Sequence, residues 1–422
     1  MTLKQPYNLT KVHEKHGSIV RYGPDKLSIT DEEAIKLIYQ SGAKFMPKTE
    51  FYDAYGAAHT NIFGMRDESA HSIRRRHMSH SFSISYVKEM EQYLDANIKI
   101  LRGKISEYIA SNQTFDLKKA LHYYVIDALG ELAFSQTFGI QVSDDESVAP
   151  PVIEHSLLAA VTGAWPMMTA RLKRWLPLIP HKGLNALFDG RKVCADLASR
   201  CVDVRLNAVR NSGDSKASSS ERKDILTNLI NAKHPDTGEH LTQTDLETEA
   251  FGFIIAGTHT TSATTTLLFY HLLHHPDLMA KCVAEIDTNL PPLQEDEGSY
   301  STSIAVCNHA FHHNPDVFGV DHNVFDPTRW DQQEIANKSK LLMHFGLGGR
   351  QCIGKTVAMT NIYKLMSTLL SEFEFELADE KERDGPSQNG SVGDVPELIS
   401  VGISDLARPL LVKASKRTRV SS

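Results

Sequence analysis

A glycine-rich loop around one cysteine constrains this 422-residue chain more than any other feature. The loop reads Phe345-Gly346-Leu347-Gly348-Gly349-Arg350-Gln351-Cys352-Ile353-Gly354. Glycines permit positive φ and close backbone approach, so such a loop can aim several N–H groups at one atom. Apolar residues at three- and four-residue spacing then predict a helix: Ala358, Ile362, Leu365, Met366, Leu369, Leu370 and Phe373. The sulfur of Cys352 would therefore lie at a helix N-terminus, among N–H donors.

This environment is the one that a thiolate metal ligand requires. A helix N-terminus and a bound metal both favour the deprotonated sulfur, and N–H donors to the sulfur tune the potential of a bound iron. Phe345 can cover the sulfur and exclude water, and Arg350 can pair with a carboxylate such as a haem propionate. The pattern predicts that Cys352 is the axial thiolate ligand of a haem iron. A buried free cysteine is the alternative.

A second long helix is predicted at Leu246–His275, and a haem site that binds dioxygen needs such a helix across the face opposite the thiolate. Its residues are apolar or hydroxylic on nearly every face, which predicts a helix buried all round. Gly257 would remove a side chain where the helix presses on the haem. The Thr260 hydroxyl can bond back to a carbonyl one turn earlier and loosen the helix there. Simple close packing of a Gly- and Thr-rich helix is the alternative.

The cysteine loop resembles the haem-ligand signature of the cytochrome P-450 family, Phe-Gly-x-Gly-x-Arg-x-Cys-x-Gly, and fills every fixed position. In that family the oxygen-side helix carries Ala/Gly-Gly-x-acid-Thr. Thr260 matches the oxygen-activating threonine, whereas His259 stands where the acid is usual. A histidine can itself shuttle protons, so the resemblance implies that Thr260 and His259 guide protons.

A third segment resembles the family where an aromatic residue and an arginine bind a haem propionate. His71 and Arg75 are four residues apart and share a helix face, and the resemblance gives them these roles. A solvated basic patch is the alternative. Phe325-Asp326-Pro327-Thr328-Arg329-Trp330 also resembles the family's segment upstream of the cysteine loop. A looser likeness points to fungal members such as benzoate hydroxylases and pisatin demethylases.

The resemblance, which runs from about Tyr7 to about Arg417, implies a mainly α cytochrome P-450 fold with small β sheets, forming a single domain over residues 1–422. It implies haem b (heme b) as the cofactor and insertion of one oxygen atom of dioxygen into a small organic substrate, in secondary metabolism or xenobiotic oxidation. The chain has no glycine-rich dinucleotide or flavin motif after a strand, so the expected electron donor is a separate NADPH–cytochrome reductase. The endoplasmic reticulum membrane is the family's usual location. The family's N-terminal membrane helix is absent here, which favours the cytoplasmic face or the cytosol.

One family feature is missing from the sequence. Between Thr261 and Cys352 the only arginines are Arg329 and Arg350, and neither has a glutamate three residues before it. The Glu-x-x-Arg helix is therefore expected to be absent, with a deletion near Ser301–Ile304. Arg329 would lose its carboxylate partner, at a cost of roughly 3–5 kcal/mol for an unpaired buried charge. This leaves open a truncated non-catalytic haem-binding remnant, a faulty gene model, or a haem sensor or carrier.

Composition excludes other classes of protein. A net charge of −7 gives no reason to expect nucleic acid as a partner, and an odd, sparse set of five cysteines is no disulfide framework. Zinc is a weak alternative at a cluster whose spacing fits no standard finger: Cys307, His309, His312 and His313.

Hydrophobic periodicity predicts the remaining elements. We expect a strand at Ser18–Arg21, helices at Asp31–Tyr39 and Leu117–Phe134, and a pair of helices over Ser83–Ala110. Segments rich in Gly, Pro, Ser and charge predict four surface loops: Gln141–Pro151, Asn211–Lys223, Pro291–Ser303 and Ala378–Pro396.

Overall fold

The computed structural model describes residues 4–23, 26–39, 47–56, 59–211, 222–234, 237–290, 312, 315–319, 322, 325–378 and 396–418. Within these ranges the chain is mainly helical with small antiparallel sheets, which confirms the predicted fold class. The predicted break at Ser301–Ile304 lies outside them, as do Cys307, His309 and His313 of the zinc alternative.

The helices of the described residues are α1 (Gln5–His16), α2 (Glu32–Ile38), α3 (Glu68–Ser79), α4 (Ile84–Ala110), α5 (Leu117–Phe134), α6 (Ile140–Ser143), α7 (Val152–Gly163), α8 (Thr169–Trp175), α9 (Lys182–Asn211), α10 (Ile225–Asn231), α11 (Gln243–His274), α12 (Pro276–Asn289), α13 (Pro315–Phe318), α14 (Gln333–Ala336) and α15 (Lys355–Glu372). The helices predicted at Asp31–Tyr39, at Leu117–Phe134 and after Cys352 are therefore confirmed. Asp31 accepts a hydrogen bond from the Ala34 N–H and caps α2.

The strands lie near the two ends of the chain, as predicted, apart from one two-residue strand. They are β1 (Ile19–Gly23), β2 (Lys26–Ile29), β3 (Phe115–Asp116), β4 (Phe373–Leu377), β5 (Leu398–Ser400), β6 (Ser404–Leu406) and β7 (Leu411–Lys416). β1 pairs with β2 and β5 pairs with β6, while β7 lies between β3 and β4, all antiparallel. Buried and exposed residues alternate along β4, so one face of its sheet covers the core.

The long helix α11 runs through the core and packs against α5 and α9. Thr242 and Asp245 form a reciprocal capping box at its start. Three buried threonine hydroxyls of α11 donate to carbonyls one turn earlier: Thr258 to Ile254, Thr265 to Thr261 and Thr266 to Ser262. These hydroxyls therefore keep a hydrogen bond although they are buried. The prediction that α11 is buried on all faces holds only in part, because Ala256 is exposed.

The predicted pair of helices over Ser83–Ala110 is wrong, because α4 is one continuous helix of 27 residues. Its buried apolar residues form one stripe: Val87, Met90, Leu94, Ile98, Leu101 and Ile105. These recur at three and four residues, so a single straight helix buries all of them against α5 and α15. A break in the middle would turn half of the stripe away from the core.

The predicted loop at Gln141–Pro151 also contains short helical structure, namely most of α6 and a turn at Glu146–Val148. Of the other three predicted loops, residues 212–221, 291–303 and 379–395 lie outside the described residues. Among the helices of the described part, none is long and apolar enough to cross a membrane.

Arg329 is buried, as expected for a residue of the segment that resembles the family. Its Nε donates to the Asp326 carbonyl at 3.1 Å and its Nη1 to the Phe318 carbonyl at 3.3 Å. The guanidinium is thus hydrogen-bonded to the backbone, which offsets part of the cost of burying its charge.

The stripe on α4 gives a test of the fold. Leu94→Ala removes a fully buried side chain and should lower the free energy of unfolding by about 2–5 kcal/mol, because a cavity remains. Ile100→Ala on the exposed face of the same helix should cost less than about 1 kcal/mol. Urea unfolding followed by circular dichroism measures both, and equal losses would contradict the single-helix arrangement.

Candidate haem site

The cysteine loop is held closed by its own backbone. The Cys352 N–H donates to the Phe345 carbonyl at 2.7 Å, and the Gly346 N–H donates to the Met343 carbonyl at 2.7 Å. Gly346 has φ 69° and Gly348 has φ 64°, a region in which a side chain would be strained. These glycines are therefore required by the loop conformation, as the sequence predicts.

The Cys352 sulfur lies just before α15, where backbone donors meet it. The N–H groups of Gly354 and Lys355 hydrogen-bond to the sulfur, and the thiol is exposed. Protein atoms crowd the sulfur enough that desolvation raises the pKa of the thiol, although both N–H groups and the Arg75 charge oppose this rise. On balance the protein alone disfavours the thiolate, and a bound metal ion would supply the positive charge that stabilises it.

Four basic side chains gather beside this loop: His71 and Arg75 on α3, Arg350 in the loop, and Lys48. Burial, and then the charges of Arg350, Arg75 and Lys48, lower the pKa of His71 to about 4. Burial and then Arg350 lower the pKa of Lys48 to about 8. Side chains that disfavour one another's charge in this way form a site that favours an anion.

The two arginines already tie the loop to α3 and to the segment before it. Arg75 Nη1 donates to the Gln351 carbonyl at 2.8 Å. Arg350 donates to the Met65 and Arg66 carbonyls at 2.6 and 3.2 Å and pairs with Glu68 at 2.9 Å. Binding of a propionate by Arg350 or Arg75 remains a prediction. A bound propionate would share the guanidinium N–H donors with these carbonyls and with Glu68.

His71 provides an observation that fits the predicted cofactor. Its ring is buried, and its Nδ1 has no hydrogen-bond partner among the described residues. A buried polar atom left in this state costs about 1–3 kcal/mol. A propionate placed among His71, Arg75 and Arg350 would supply the missing partner and the missing negative charge, so these residues fit haem.

On α11, the structure confirms the hydrogen bond predicted for Thr260 but gives another reason for Gly257. The Thr260 hydroxyl donates to the Ala256 carbonyl at 2.8 Å, which confirms the predicted bond. A Cβ on Gly257 would lie 2.6 Å from Leu129 Cδ1. The packing of α5 against α11 therefore accounts for this glycine, and its role toward haem remains a prediction.

His259 lies in a buried polar network that the sequence did not reveal. Its Nε2 is 3.2 Å from Asp405 Oδ2 on β6, and Lys118 Nζ on α5 is 2.9 Å from the same oxygen. The only sequence signal was a charged residue between apolar neighbours in the segment Ile403-Ser404-Asp405-Leu406. The pairing joins residues 146 positions apart, and no local pattern shows it.

A second unpredicted network joins α3 to α11. Arg74 pairs with Glu249 at 2.9 Å and with Asp245 at 3.3 Å, and the Ile62 N–H donates to Glu249 at 3.1 Å. Burial raises the pKa of Glu249 to about 7, although Arg74 opposes the rise. This network fixes the helix that carries His71 and Arg75 against the helix that carries Thr260.

Comparisons with known proteins identify the family to which the chain belongs. A sequence model described as "Cytochrome P450" matches residues 2–300 and 300–401, and the chain belongs to that family. The two matched segments meet at residue 300, next to the predicted break at Ser301–Ile304. The deletion itself remains a prediction.

Similar proteins come from fungi. Benzoate 4-monooxygenase bphA of Aspergillus niger is 25% identical over 445 residues, covering 89% of this chain and 83% of that protein. Cytochrome P450 monooxygenase gsfF of Penicillium aethiopicum is 26% identical, covering 87% and 82%. Pisatin demethylase of Fusarium vanettenii is 24% identical, covering 87% and 78%. The chain is thus a fungal-type haem monooxygenase with haem as its cofactor.

The close approach at Gly257 can be tested by a double-mutant cycle. Gly257→Ala should destabilise the protein by about 1–3 kcal/mol because Leu129 must move. In a Leu129→Ala background the same change should stabilise by up to about 1 kcal/mol, since alanine is the better helix former. Urea unfolding measures both, and the same cost in both backgrounds would contradict a packing role.

Glu249 should make stability depend on pH. Its pKa in the folded protein, about 7, exceeds its ordinary value of 4.5, so its contribution is complete below the ordinary value and is lost as pH rises through 7. Between about pH 5 and about pH 8 the wild type should lose up to about 3 kcal/mol more than Glu249→Gln does. Urea unfolding across this range measures the difference.

Glu372→Gln is the matched control. The bonds from Arg102 and Lys416 lower the pKa of Glu372 against the effect of burial. Glu372 therefore contributes to stability above its ordinary pKa, and this contribution is lost only in acid. Glu372→Gln should lose as much stability between about pH 5 and about pH 8 as the wild type does. If Glu249→Gln behaves like this control, the raised pKa of Glu249 is wrong.

Proposed function

We propose that Cys352 is the axial thiolate ligand of haem in this monooxygenase, and that His71, Arg75 and Arg350 bind the propionates. The observation that carries the proposal is the position of the Cys352 sulfur. It meets the Gly354 and Lys355 N–H groups and the Arg75 charge, and Arg75 also acts on the buried His71 ring, whose Nδ1 has no partner among the described residues. Phe345 and Gly346 hold the loop that presents the sulfur.

Bound haem supplies the activation of dioxygen, so that one oxygen atom enters the substrate and the other leaves as water. The residues of the chain set the conditions for this chemistry. The Gly354 and Lys355 N–H groups reduce the electron density on the Cys352 sulfur. On the opposite wall, the Thr260 hydroxyl and the His259 ring hold and move protons.

The electron donor in this proposal is a separate NADPH–cytochrome reductase. The family requires a redox partner, a substrate and dioxygen in general. A glycine-rich dinucleotide or flavin motif does not occur after a strand in this chain. We place the protein at the cytoplasmic face of the endoplasmic reticulum or in the cytosol, where such a reductase can reach it.

The substrate in this proposal is a small to medium apolar organic molecule, a secondary metabolite or a xenobiotic. The printed names of two relatives refer to benzoate and to pisatin. A competing function is that of a non-catalytic remnant that binds haem weakly. The split of the family match at residue 300 favours this second candidate, and retention of haem separates the two.

Haem loading provides the test. The reduced wild-type protein should give a thiolate-type Soret band with carbon monoxide, because Cys352 donates electron density to the iron. Cys352→Ser should abolish that band, whereas Cys282→Ser, at a half-buried cysteine on α12, should retain it. Wild-type protein that folds but fails to hold haem would contradict the monooxygenase function of this chain. A thiolate band in Cys352→Ser would contradict the ligand assignment.

A further inference from the structure

The carboxylate nearest to His259 comes from the C-terminal hairpin rather than from α11. His259 is buried, and Asp405 on β6 accepts from its ring at 3.2 Å between Nε2 and Oδ2. β6 packs directly against α11. Because the acid usual beside Thr260 is replaced by His259, this contact supplies a carboxylate to the residue next to Thr260 by tertiary structure.

Asp405 is held in its ionised form. Lys118 Nζ lies 2.9 Å from Oδ2, and the Leu406 N–H donates to Oδ1 at 2.7 Å. Burial by itself raises the pKa of this carboxyl, but the bonds from His259 and Lys118 outweigh it and lower the pKa below its usual range. An ionised carboxylate only accepts hydrogen bonds, so the Nε2 of His259 carries the proton in this contact.

This fixes the tautomer of a neutral His259 ring. With the hydrogen on Nε2, the lone pair lies on Nδ1. The other groups facing the ring do not compete for this role. Lys118 is directed at Asp405. His122 bonds to the Ser262 hydroxyl at 3.2 Å, and burial, followed by the charge of His259, lowers the pKa of His122 to about 4.

We propose that Asp405 is a positioning residue that holds the His259 ring with Nε2 protonated, so that Nδ1 is the atom that takes up and returns the proton beside Thr260. When Nδ1 takes a proton, the ring becomes an imidazolium whose charge Asp405 balances. When Nδ1 gives the proton up, the ring returns to its neutral form, and Asp405 keeps its charge throughout. This inference rests on the proposed function, in which the Thr260 hydroxyl and the His259 ring move protons to bound dioxygen.

Asp405→Asn separates this role from a merely structural contact. Asparagine has nearly the same shape but only one acceptor oxygen. With that oxygen kept by the Leu406 N–H, the amide nitrogen faces Nε2, while Lys118 retains the Leu406 carbonyl to which it already donates. The ring must then accept at Nε2 and carry its hydrogen on Nδ1.

The first readout is the tautomer itself. We would label the histidines with ¹⁵N in the haem-loaded, carbon monoxide-bound protein and identify the His259 signals by their loss in His259→Gln. The wild type should show a protonated Nε2 and an unprotonated Nδ1. In Asp405→Asn the hydrogen should move to Nδ1. In Asp405→Glu the ring should again carry its hydrogen on Nε2, as in the wild type. A wild-type ring with its hydrogen on Nδ1 would overturn the inference.

The second readout is the fate of reduced dioxygen. With NADPH and reductase and no organic substrate, dioxygen that receives two electrons and two protons leaves as hydrogen peroxide, and further electrons and protons yield water. Impaired proton delivery should raise the peroxide released per NADPH oxidised. We expect this rise in Asp405→Asn and its reversal in Asp405→Glu. A changed tautomer with an unchanged peroxide yield would mean that the contact is structural only, and would overturn the proposal.

Asp127→Asn is the control for burial of a carboxylate. Asp127 is buried on α5 and accepts from the Ile140 and Gln141 N–H groups, away from His259. Its variant should leave the His259 tautomer and the peroxide yield unchanged. If the wild type holds no haem, the proposed function fails and this inference with it. If haem is held but Asp405→Asn leaves the ring unchanged, only the inference fails.

Discussion

The pairing of Arg74 with the buried Glu249 is the interaction on which the candidate site depends. It joins α3, which carries His71 and Arg75, to α11, which carries His259 and Thr260. Arg74 is mostly buried and also pairs with Asp245, so removing its acidic partners would leave an uncompensated positive charge and cost several kcal/mol. These contacts fix α3 against α11, and Arg75 and Arg350 attach the cysteine loop to the same frame.

The electrostatics of the frame favour an anionic cofactor. Arg350 disfavours the charged forms of His71 and Lys48, and Glu68, whose side chain is half-exposed, pairs with Arg350. A ligand that binds the folded state stabilises it by mass action. Haem, with its propionates, would relieve the repulsion and satisfy His71 Nδ1 together, so its binding and the stability of this region should be coupled.

The sequence predicted what depends on short spacing. The apolar pattern predicted α5 with its observed bounds and α11 to within three residues, and glycine chemistry predicted a loop that needs positive φ, as seen at Gly346 and Gly348. The α4 stripe was misread as a pair of helices, because its continuity depends on which partners bury it. Glu249 and Asp405 were missed altogether. Their partners lie 175 and 146 residues away, and such pairs are determined by how the helices and the hairpin pack.

Two positions at which the sequence departs from the family pattern make polar contacts in the structure. At His259, the Asp405 carboxylate accepts from the ring and is held by Lys118 and by a backbone N–H. At Arg329, the buried guanidinium donates to the Phe318 and Asp326 carbonyls. In both cases hydrogen bonds within the protein offset part of the cost of burying a charged or titratable side chain.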